Sequence, residues 1–182
     1  MMYRLLVFFL LFCLPLSAAA ADVSSKKNNI LMETTMGTIK IELFDDKAPV
    51  TCANFRQYVA EGFFNGLVFH RVIPGFVIQG GGFEPGLKKR ITRAPIVNEA
   101  DNGLKNSRGT LSMARTQDIY SATSQFFINV ADNKSLDHRG KTQAGFGYAV
   151  FGRVVEGMDV VDKIVATPTG TVGMYQDVPK TD

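Results

Sequence analysis

Tryptophan is absent from this sequence of 182 residues, and cysteine and histidine occur only twice each. So few thiol and imidazole groups argue against a structural zinc site, and we expect neither a metal nor a cofactor. Cys13 lies in an N-terminal apolar run, so Cys52 is the one cysteine of the remaining chain, which excludes an internal disulfide there. Cys52 occupies an apolar helical position, and we predict that its side chain is small, apolar and buried.

Neither sign of charge dominates, because 20 Lys and Arg side chains stand against 17 Asp and Glu side chains, a formal net charge of +3. That charge is too small for nucleic-acid binding through bulk electrostatics. The densest basic stretch, residues 88–90 with Arg93, has no aromatic residue between its charges, and we interpret it as a solvated loop. We therefore expect no nucleic-acid partner.

Long apolar runs are missing except at residues 5–16. Arg4 precedes this run and small residues follow it, a pattern typical of a signal peptide that is cleaved after Ala21. A transmembrane anchor is the alternative, but the run is shorter than the ~20 residues that a membrane-spanning helix needs. We therefore predict a signal peptide over residues 1–21, a short lead over residues 22–28 and one domain over residues 29–182. We expect no membrane partner for this domain once the signal peptide has been cleaved.

The sequence is well supplied with residues that β-sheet proteins use, among them 17 Gly for turns and 14 Phe for strands. Alternating apolar residues predict strands over residues 30–34, 38–44, 67–72, 76–79, 110–114, 126–130 and 149–154. Apolar stripes predict helices over residues 48–62 and 158–165. So few helices argue against a βαβ array and favour a mainly β fold, an antiparallel barrel or sandwich with helices covering its ends.

Residues 68–82 combine a guanidinium, a carboxamide and large apolar side chains around a Pro-Gly turn. Arg71 and Gln79 are strong hydrogen-bond donors with no adjacent nucleophile or base. Phe76 and Val77 supply the apolar floor that a proline ring or another small hydrophobic group needs. This combination favours a surface that binds a peptide.

Successive side chains of a strand point to opposite faces of a sheet, so alternation with a period of two separates side chains that bind a ligand from side chains that pack into the core. In residues 124–130, it places Gln125 and Phe127 on one face and Phe126 and Ile128 on the other. One face is therefore predicted to pack into the core, and the other to bind.

The same alternation places Phe69 on the face of Arg71 and His70 on the opposite face. We therefore predict that His70 is a core histidine with satisfied hydrogen bonds rather than a catalytic base. A hydrolase built from Ser124, His70 and Asp137 is the alternative, but the sequence has no G-x-S-x-G elbow.

Four motifs follow one another along the chain: FHRVIPGFVIQGG at residues 69–81, GTLSMA at 109–114, SQFF at 124–127 and VFGRVVEGM at 150–158. Together they resemble the motifs of the cyclophilin family of peptidyl-prolyl isomerases. The resemblance covers residues 29–166 and implies a closed, eight-stranded antiparallel β-barrel capped by two helices. It also implies an enzyme that rotates X-Pro peptide bonds between cis and trans. Residues 129–133 and 146–148 resemble the exported bacterial branch, which predicts a periplasmic location.

The resemblance also implies a site, carried over residue by residue. The implied catalytic residues are Arg71, Phe76, Gln79 and Phe127. The implied substrate-binding residues are Val77, Ala114, Arg115, Gln125, Ser135, Leu136 and Tyr148. Ser135 stands where many members carry Trp, so we expect weak or no cyclosporin binding; Tyr148 stands where many carry His, and Arg115 where Asn is common.

The implied mechanism has no covalent intermediate, because Arg71 weakens the imide bond by hydrogen bonding to the prolyl nitrogen. The expected partners are proline-containing segments of unfolded or partly folded exported proteins, bound by a monomer. A non-catalytic, proline-binding chaperone with the same fold is the alternative function.

The family's final apolar strand follows the loop that corresponds to residues 167–179, and it closes the barrel. Residues 180–182 are Lys-Thr-Asp and offer no apolar strand. We therefore expect either a truncated sequence or another segment over that edge, and a lower stability than that of a chain extended by a closing strand.

Overall fold

The computed structural model describes residues 29–181, so the predicted signal peptide and lead lie outside the described residues. In this part of the chain, no helix is both long enough and apolar enough to cross a membrane.

Short strands make up most of the regular structure. The strands are β1 (Asn29–Thr34), β2 (Gly37–Leu43), β3 (Arg71–Ile73), β4 (Val77–Gly80), β5 (Phe83–Glu84), β6 (Lys88–Lys89), β7 (Thr110–Met113), β8 (Phe126–Asn129), β9 (Val150–Glu156), β10 (Thr169–Val172) and β11 (Tyr175–Pro179). The helices are α1 (Pro49–Ala60) and α2 (Met158–Val165), and single 3-10 turns cover Pro85–Leu87 and Lys134–Leu136. Pro49 is the first residue of α1. A backbone N–H at this position has no partner inside the helix, so its absence in proline costs no helical hydrogen bond.

Seven strands form one curled antiparallel sheet in the order β1-β2-β9-β7-β8-β4-β3. The pairs β5–β6 and β10–β11 are separate two-stranded hairpins. The predicted mainly β fold with two helices is confirmed, and α2 has the predicted bounds.

Three details differ from the expectations. The described residues form a half-barrel rather than a closed barrel, with β1 and β3 as the two edges of the sheet. Residues 167–179, expected as a loop, contain the β10–β11 hairpin, whose turn uses Gly173 at φ 59°. The third strand begins only at Arg71, because the preceding segment leaves the ladder and Val68 N–H donates to the carbonyl of Phe83 instead.

The core lies on one face of the sheet. Val72, Ile78, Ile128 and Leu111 are aligned across β3, β4, β8 and β7, and each is fully buried. Side chains that are opposite one another on neighbouring strands project to the same face. This row of apolar residues therefore fixes which face packs inwards.

Helix α1 covers the core through Phe55. Its ring lies 5.0 Å from that of Phe64, 5.4 Å from that of Phe126 and 5.2 Å from that of Phe151, measured between centroids. Cys52, one turn earlier, is fully buried and its thiol donates to the carbonyl of Phe151 at 3.3 Å. The predicted burial of Cys52 is confirmed, and this burial raises the pKa of the thiol to about 12, which keeps it protonated and unreactive.

The basic stretch is only partly the solvated loop that its composition suggested. Lys88 and Lys89 are exposed. Arg90, in contrast, donates to the Glu84 carboxylate at 2.8 Å, and the Arg93 guanidinium lies 3.9 Å from the centre of the Tyr58 ring. The arginines therefore hold this loop against the fold.

His70 is buried, with 6% of its surface exposed, but its hydrogen bonds are not satisfied as predicted. Its ring packs against Phe83 with centroids 4.5 Å apart, and its Nδ1 has no hydrogen-bond partner among the described residues. Burial, with a smaller contribution from the Arg71 charge, lowers the pKa of His70 to about 4. Phe69 packs against Phe126 in the core and not beside Arg71, because residues 67–70 are not in a strand.

Acid should destabilise the native protein more than a His70→Leu variant. Between the ordinary imidazole pKa of 6.5 and about 4, the unfolded chain binds a proton at His70 that the folded chain excludes. The contribution of the neutral His70 ring to the free energy of unfolding is therefore at its full value above pH 6.5, and it declines as the pH falls towards 4. We expect the difference between the two proteins to change by roughly 3 kcal/mol over this range, measured by urea unfolding; parallel pH profiles would contradict this account.

Candidate active site

A second row of aligned residues lies on the face of the sheet opposite the core row. Arg71 on β3 is aligned with Gln79 on β4, Gln79 with Phe127 on β8, and Phe127 with Ser112 on β7. Because aligned residues share a face, the register brings three of the four implied catalytic residues side by side.

Gln125 joins this row by a direct hydrogen bond. The amide nitrogen of Gln79 donates to the side-chain oxygen of Gln125 at 3.0 Å. Gly82 makes room for the pair, since a Cβ at that position would lie only 2.6 Å from Cγ of Gln125. The two carboxamides therefore hold each other in place beside Arg71.

The row is apolar around Phe127. Phe127 is 4% exposed and Val77 is 3% exposed, while Phe76 is half-buried. The ring of Phe127 meets that of Tyr148 edge to face with centroids 5.7 Å apart. Tyr148 N–H donates to the carbonyl of Leu136 at 3.0 Å, which ties the half-buried Leu136 to the same corner.

The remaining implied residues lie around this corner. Ala114 N–H donates to the carbonyl of Gln125 at 2.9 Å. Arg115 donates to the carbonyl of Gly147 at 3.0 Å, and its guanidinium lies 4.7 Å from the centre of the Tyr148 ring. Ser135 is exposed on the 3-10 turn that carries Leu136. Arg115 thus packs against the ring of Tyr148. The sequence position of Arg115 did not suggest this contact.

Sequence reasoning missed a buried polar network beneath the site. Asn133 donates to the carbonyl of Phe76 at 2.8 Å and to the side-chain oxygen of Asn129 at 2.7 Å. Ser112 donates to the side-chain oxygen of Asn106 at 2.7 Å, and Asn106 N–H donates to Asp137 at 2.8 Å. The signal that was available is the polar residue at each of two strand positions on the binding face, Ser112 and Asn129.

Asp177 was also missed, because its segment was expected to be a loop. Its carboxylate lies 3.7 Å from Nε of Arg71, and both side chains are about two-fifths exposed (39% and 42%). Asp177 has φ 58°, which is unusual for a residue other than glycine. The β10–β11 hairpin therefore delivers an acidic group directly to the implied catalytic arginine.

The hydrolase alternative fails on geometry. The Ser124 hydroxyl donates to the carbonyl of Gly81 at 2.6 Å, and Asp137 accepts from Asn106 and pairs with Lys105 at 3.6 Å. Neither residue contacts His70, so no nucleophile and base are joined. Among residues 29–181, no group of three or more His, Cys, Asp or Glu side chains is arranged to hold a metal ion.

The family model of cyclophilin type peptidyl-prolyl cis-trans isomerase matches residues 29–182. This chain belongs to the cyclophilin family. The family prediction made from the four motifs is thereby confirmed, and the enzyme class is peptidyl-prolyl cis-trans isomerase.

Relatives of this cyclophilin support the same assignment. It is 61% identical over 153 residues to peptidyl-prolyl cis-trans isomerase B of Escherichia coli, a match that covers 84% of this chain and 93% of that protein. It is also 61% identical to an isomerase of Acinetobacter baylyi, covering 82% of this chain and 78% of the relative. A Cryptosporidium parvum cyclophilin crystallised in the presence of the dipeptide Ala-Pro has a TM-score of 0.70 at 27% identity, with 84% of this chain and 92% of that chain covered.

Replacing Asn133 by alanine should destabilise this cyclophilin. Asn133 is buried, and the change leaves the Phe76 carbonyl and the Asn129 side-chain oxygen without this donor. We expect the free energy of unfolding to fall by about 1–3 kcal/mol, measured by urea denaturation. Asn65→Ala, at an exposed asparagine, is the matched control and should change it by less than about 0.5 kcal/mol. Equal losses in the two variants would show that the network does not support the site.

Proposed function

We propose that this cyclophilin accelerates X-Pro rotation in exported proteins through Arg71, which donates a hydrogen bond to the prolyl nitrogen. The observation that carries this proposal is the row of Arg71, Gln79 and Phe127 across three adjacent strands, with Gln125 bonded to Gln79. It places a permanent cation, two carboxamides and an aromatic ring on one face.

Rotation of the X-Pro bond needs one well-placed hydrogen-bond donor. The rotation barrier of the peptide bond, about 18–20 kcal/mol, arises from delocalisation of the nitrogen lone pair into the carbonyl. As the bond twists, the lone pair returns to nitrogen and becomes a better acceptor. A donor such as the Arg71 guanidinium therefore binds the twisted state more strongly than either planar state, which is the condition for catalysis.

The apolar residues hold the proline ring. Phe76 and Val77 form the floor, and Phe127 and Leu136 form walls that shield a bound proline ring from water. A hydrogen bond from Arg71 is stronger beside such a surface than in bulk water. The pocket thus positions the ring and strengthens the donor at the same time.

The carboxamides are suited to the peptide backbone. Gln79 and Gln125 share one hydrogen bond, yet each carboxamide has two donors and an acceptor oxygen. The pair therefore retains groups for the substrate carbonyl and N–H on either side of proline. When the substrate backbone on one side of the proline is held, the backbone on the other side can rotate about the X-Pro bond.

The required acceleration is within reach of these groups. Raising a rate of roughly 10⁻² s⁻¹ to about 10³ s⁻¹ needs ~7 kcal/mol of preferential binding to the twisted state. A charge-assisted hydrogen bond supplies about 1.5–3 kcal/mol, and positioning with desolvation supplies the rest. No covalent intermediate is needed.

The remaining details of the proposal concern location and ligands. Arg4, the apolar run of residues 5–16 and the small residues 17–21 support export to the periplasm with cleavage after Ala21. Ser135 at the pocket rim offers no aromatic ring, which supports weak cyclosporin binding. We propose a monomer that acts on proline-bearing segments of unfolded exported chains. The alternative of a non-catalytic chaperone uses the same pocket, but membership of an isomerase family favours the enzyme.

Arg71→Ala should abolish most of the isomerase activity and leave the fold intact. The variant removes the donor that binds the twisted bond, so we expect kcat/KM to fall by about 10²–10³-fold, measured by a protease-coupled assay on an Ala-Pro peptide. Arg153→Ala is the matched control, since Arg153 is exposed on β9, which three other strands separate from β3 in the sheet. Near-native turnover in Arg71→Ala would refute the assigned role.

Expression of the full chain in a Gram-negative bacterium should yield a periplasmic protein whose first residue is Asp22. The measurement is the intact mass of the protein released by osmotic shock. A Leu10→Arg variant interrupts the apolar run and should remain unprocessed in the cytoplasm. Retention of the native chain with residues 1–21 attached would contradict the proposed export.

A further inference from the structure

Asp177 approaches Arg71 from the outer side of an edge strand. In the described sheet, Arg71 on β3 has Gln79 of β4 aligned with it on one side. The β10–β11 hairpin lies along the other side of β3 and brings the Asp177 carboxylate to 3.7 Å from Nε of Arg71. Among residues 29–181, Asp177 is the one acidic side chain that pairs with Arg71. The guanidinium therefore stands between a carboxamide and a carboxylate.

The hairpin is held in this place by contacts that do not involve the arginine. The ring of Tyr175 meets that of Phe83 edge to face, with centroids 5.5 Å apart. Val178, the residue after Asp177, is buried. Asp177 thus lies between two anchored residues of β11. Its carboxylate is placed by the packing of the hairpin, and not only by attraction to the guanidinium.

A β-bulge in the hairpin changes the direction of the Asp177 side chain. The alignment of β11 with β10 shifts between Gly170 and Val172, so that Gln176 and Asp177 lie opposite a single residue of β10. Bulges re-aim side chains and are common next to active sites. The backbone of Asp177 has φ 58°, a left-handed conformation that aspartate and asparagine adopt more readily than most other residues. An unusual backbone conformation kept beside a functional group motivates a functional role for the residue.

The contact attracts the guanidinium without occupying its donors. At 3.7 Å, Nε of Arg71 and Oδ2 of Asp177 are too far apart for a hydrogen bond. Nε is the inner nitrogen of the guanidinium, so the two terminal amino groups lie farther from the carboxylate and remain available for a substrate. The Arg71 side chain is 42% exposed and has many rotamers. The carboxylate favours those rotamers that keep Nε on the side of β11.

We propose that Asp177 is a positioning residue for X-Pro rotation, which holds the Nε end of Arg71 so that the terminal amino groups stay directed at the prolyl nitrogen. This inference rests on the proposed function, because it requires Arg71 to be the donor to the twisted bond. The guanidinium is charged with or without a carboxylate beside it, so Asp177 supplies orientation and not charge. Orientation matters because a small misplacement of a catalytic group slows a reaction strongly.

Asp177→Asn is the test variant, because it removes the charge, keeps the shape of the side chain and tolerates a left-handed backbone. We expect kcat on an Ala-Pro peptide to fall by about three- to tenfold, since an ion pair at this exposure holds a side chain only weakly. KM should stay within about twofold, because the interaction acts on the twisted state. Asp177→Gly, which also suits this backbone, should lose as much. Asp159→Asn is the matched control, since Asp159 is exposed on α2, where it pairs with Lys163 at 3.3 Å, and it should leave kcat unchanged.

Nuclear magnetic resonance of the Arg71 Nε–H group gives a readout that does not depend on turnover. A guanidinium held in one orientation has a high order parameter at this group. Asp177→Asn should therefore lower the order parameter, and Asp159→Asn should leave it unchanged. The backbone amide spectra of both variants should match the native spectrum outside β3 and the substituted elements, which shows that the fold is kept.

A double substitution tests whether Asp177 acts through Arg71. In an Arg71→Lys background, which lacks the guanidinium, Asp177→Asn should change kcat by less than about 1.5-fold. An unchanged Nε–H order parameter in Asp177→Asn, or an equal loss of kcat in both backgrounds, would overturn the positioning role alone. Near-native turnover in Arg71→Ala would refute the proposed function, and the positioning role with it.

Discussion

The register of β3, β4, β8 and β7 holds the core and the site on opposite faces of one thin sheet. The row of Val72, Ile78, Ile128 and Leu111 is fully buried, and this burial makes a slip of one residue prohibitive. The second row, which includes Arg71 and the residues aligned with it, must therefore lie on the opposite face of the sheet. Apolar packing on one side thus positions a cation and two carboxamides on the other.

The strands alone do not complete the site, because Phe76 and Leu136 lie outside them. The buried asparagines fix these parts by bonding main-chain groups: Asn133 holds the Phe76 carbonyl, and Asn106 N–H is held by Asp137. Such networks are rigid only when every member is satisfied. The proposed isomerase pocket therefore combines a geometry set by apolar register with loops set by polar bonds.

Much of this could be read from the sequence, for reasons that differ between elements. The bounds of α2 and the opposite faces of Phe126 and Phe127 follow from local periodicity, which operates wherever an element is regular. The packing of Phe69 was predicted wrongly because periodicity was extended into residues 67–70, which leave the strand. His70 was predicted as satisfied, Asp177 was not anticipated, and the network was overlooked. These features depend on segments far apart in sequence, whose meeting no local pattern reveals.

The central claim is that the face of Arg71, Gln79 and Phe127 binds proline peptides and rotates their imide bond. Nuclear magnetic resonance of the labelled protein with an Ala-Pro peptide tests both halves at once, through amide shifts on the protein and cis-trans exchange peaks on the peptide. The account predicts shifts at Gln79, Gln125 and Phe127, together with exchange that is fast at catalytic protein concentrations. Amide shifts that leave out Gln79, Gln125 and Phe127, or exchange no faster than in the free peptide, would contradict it.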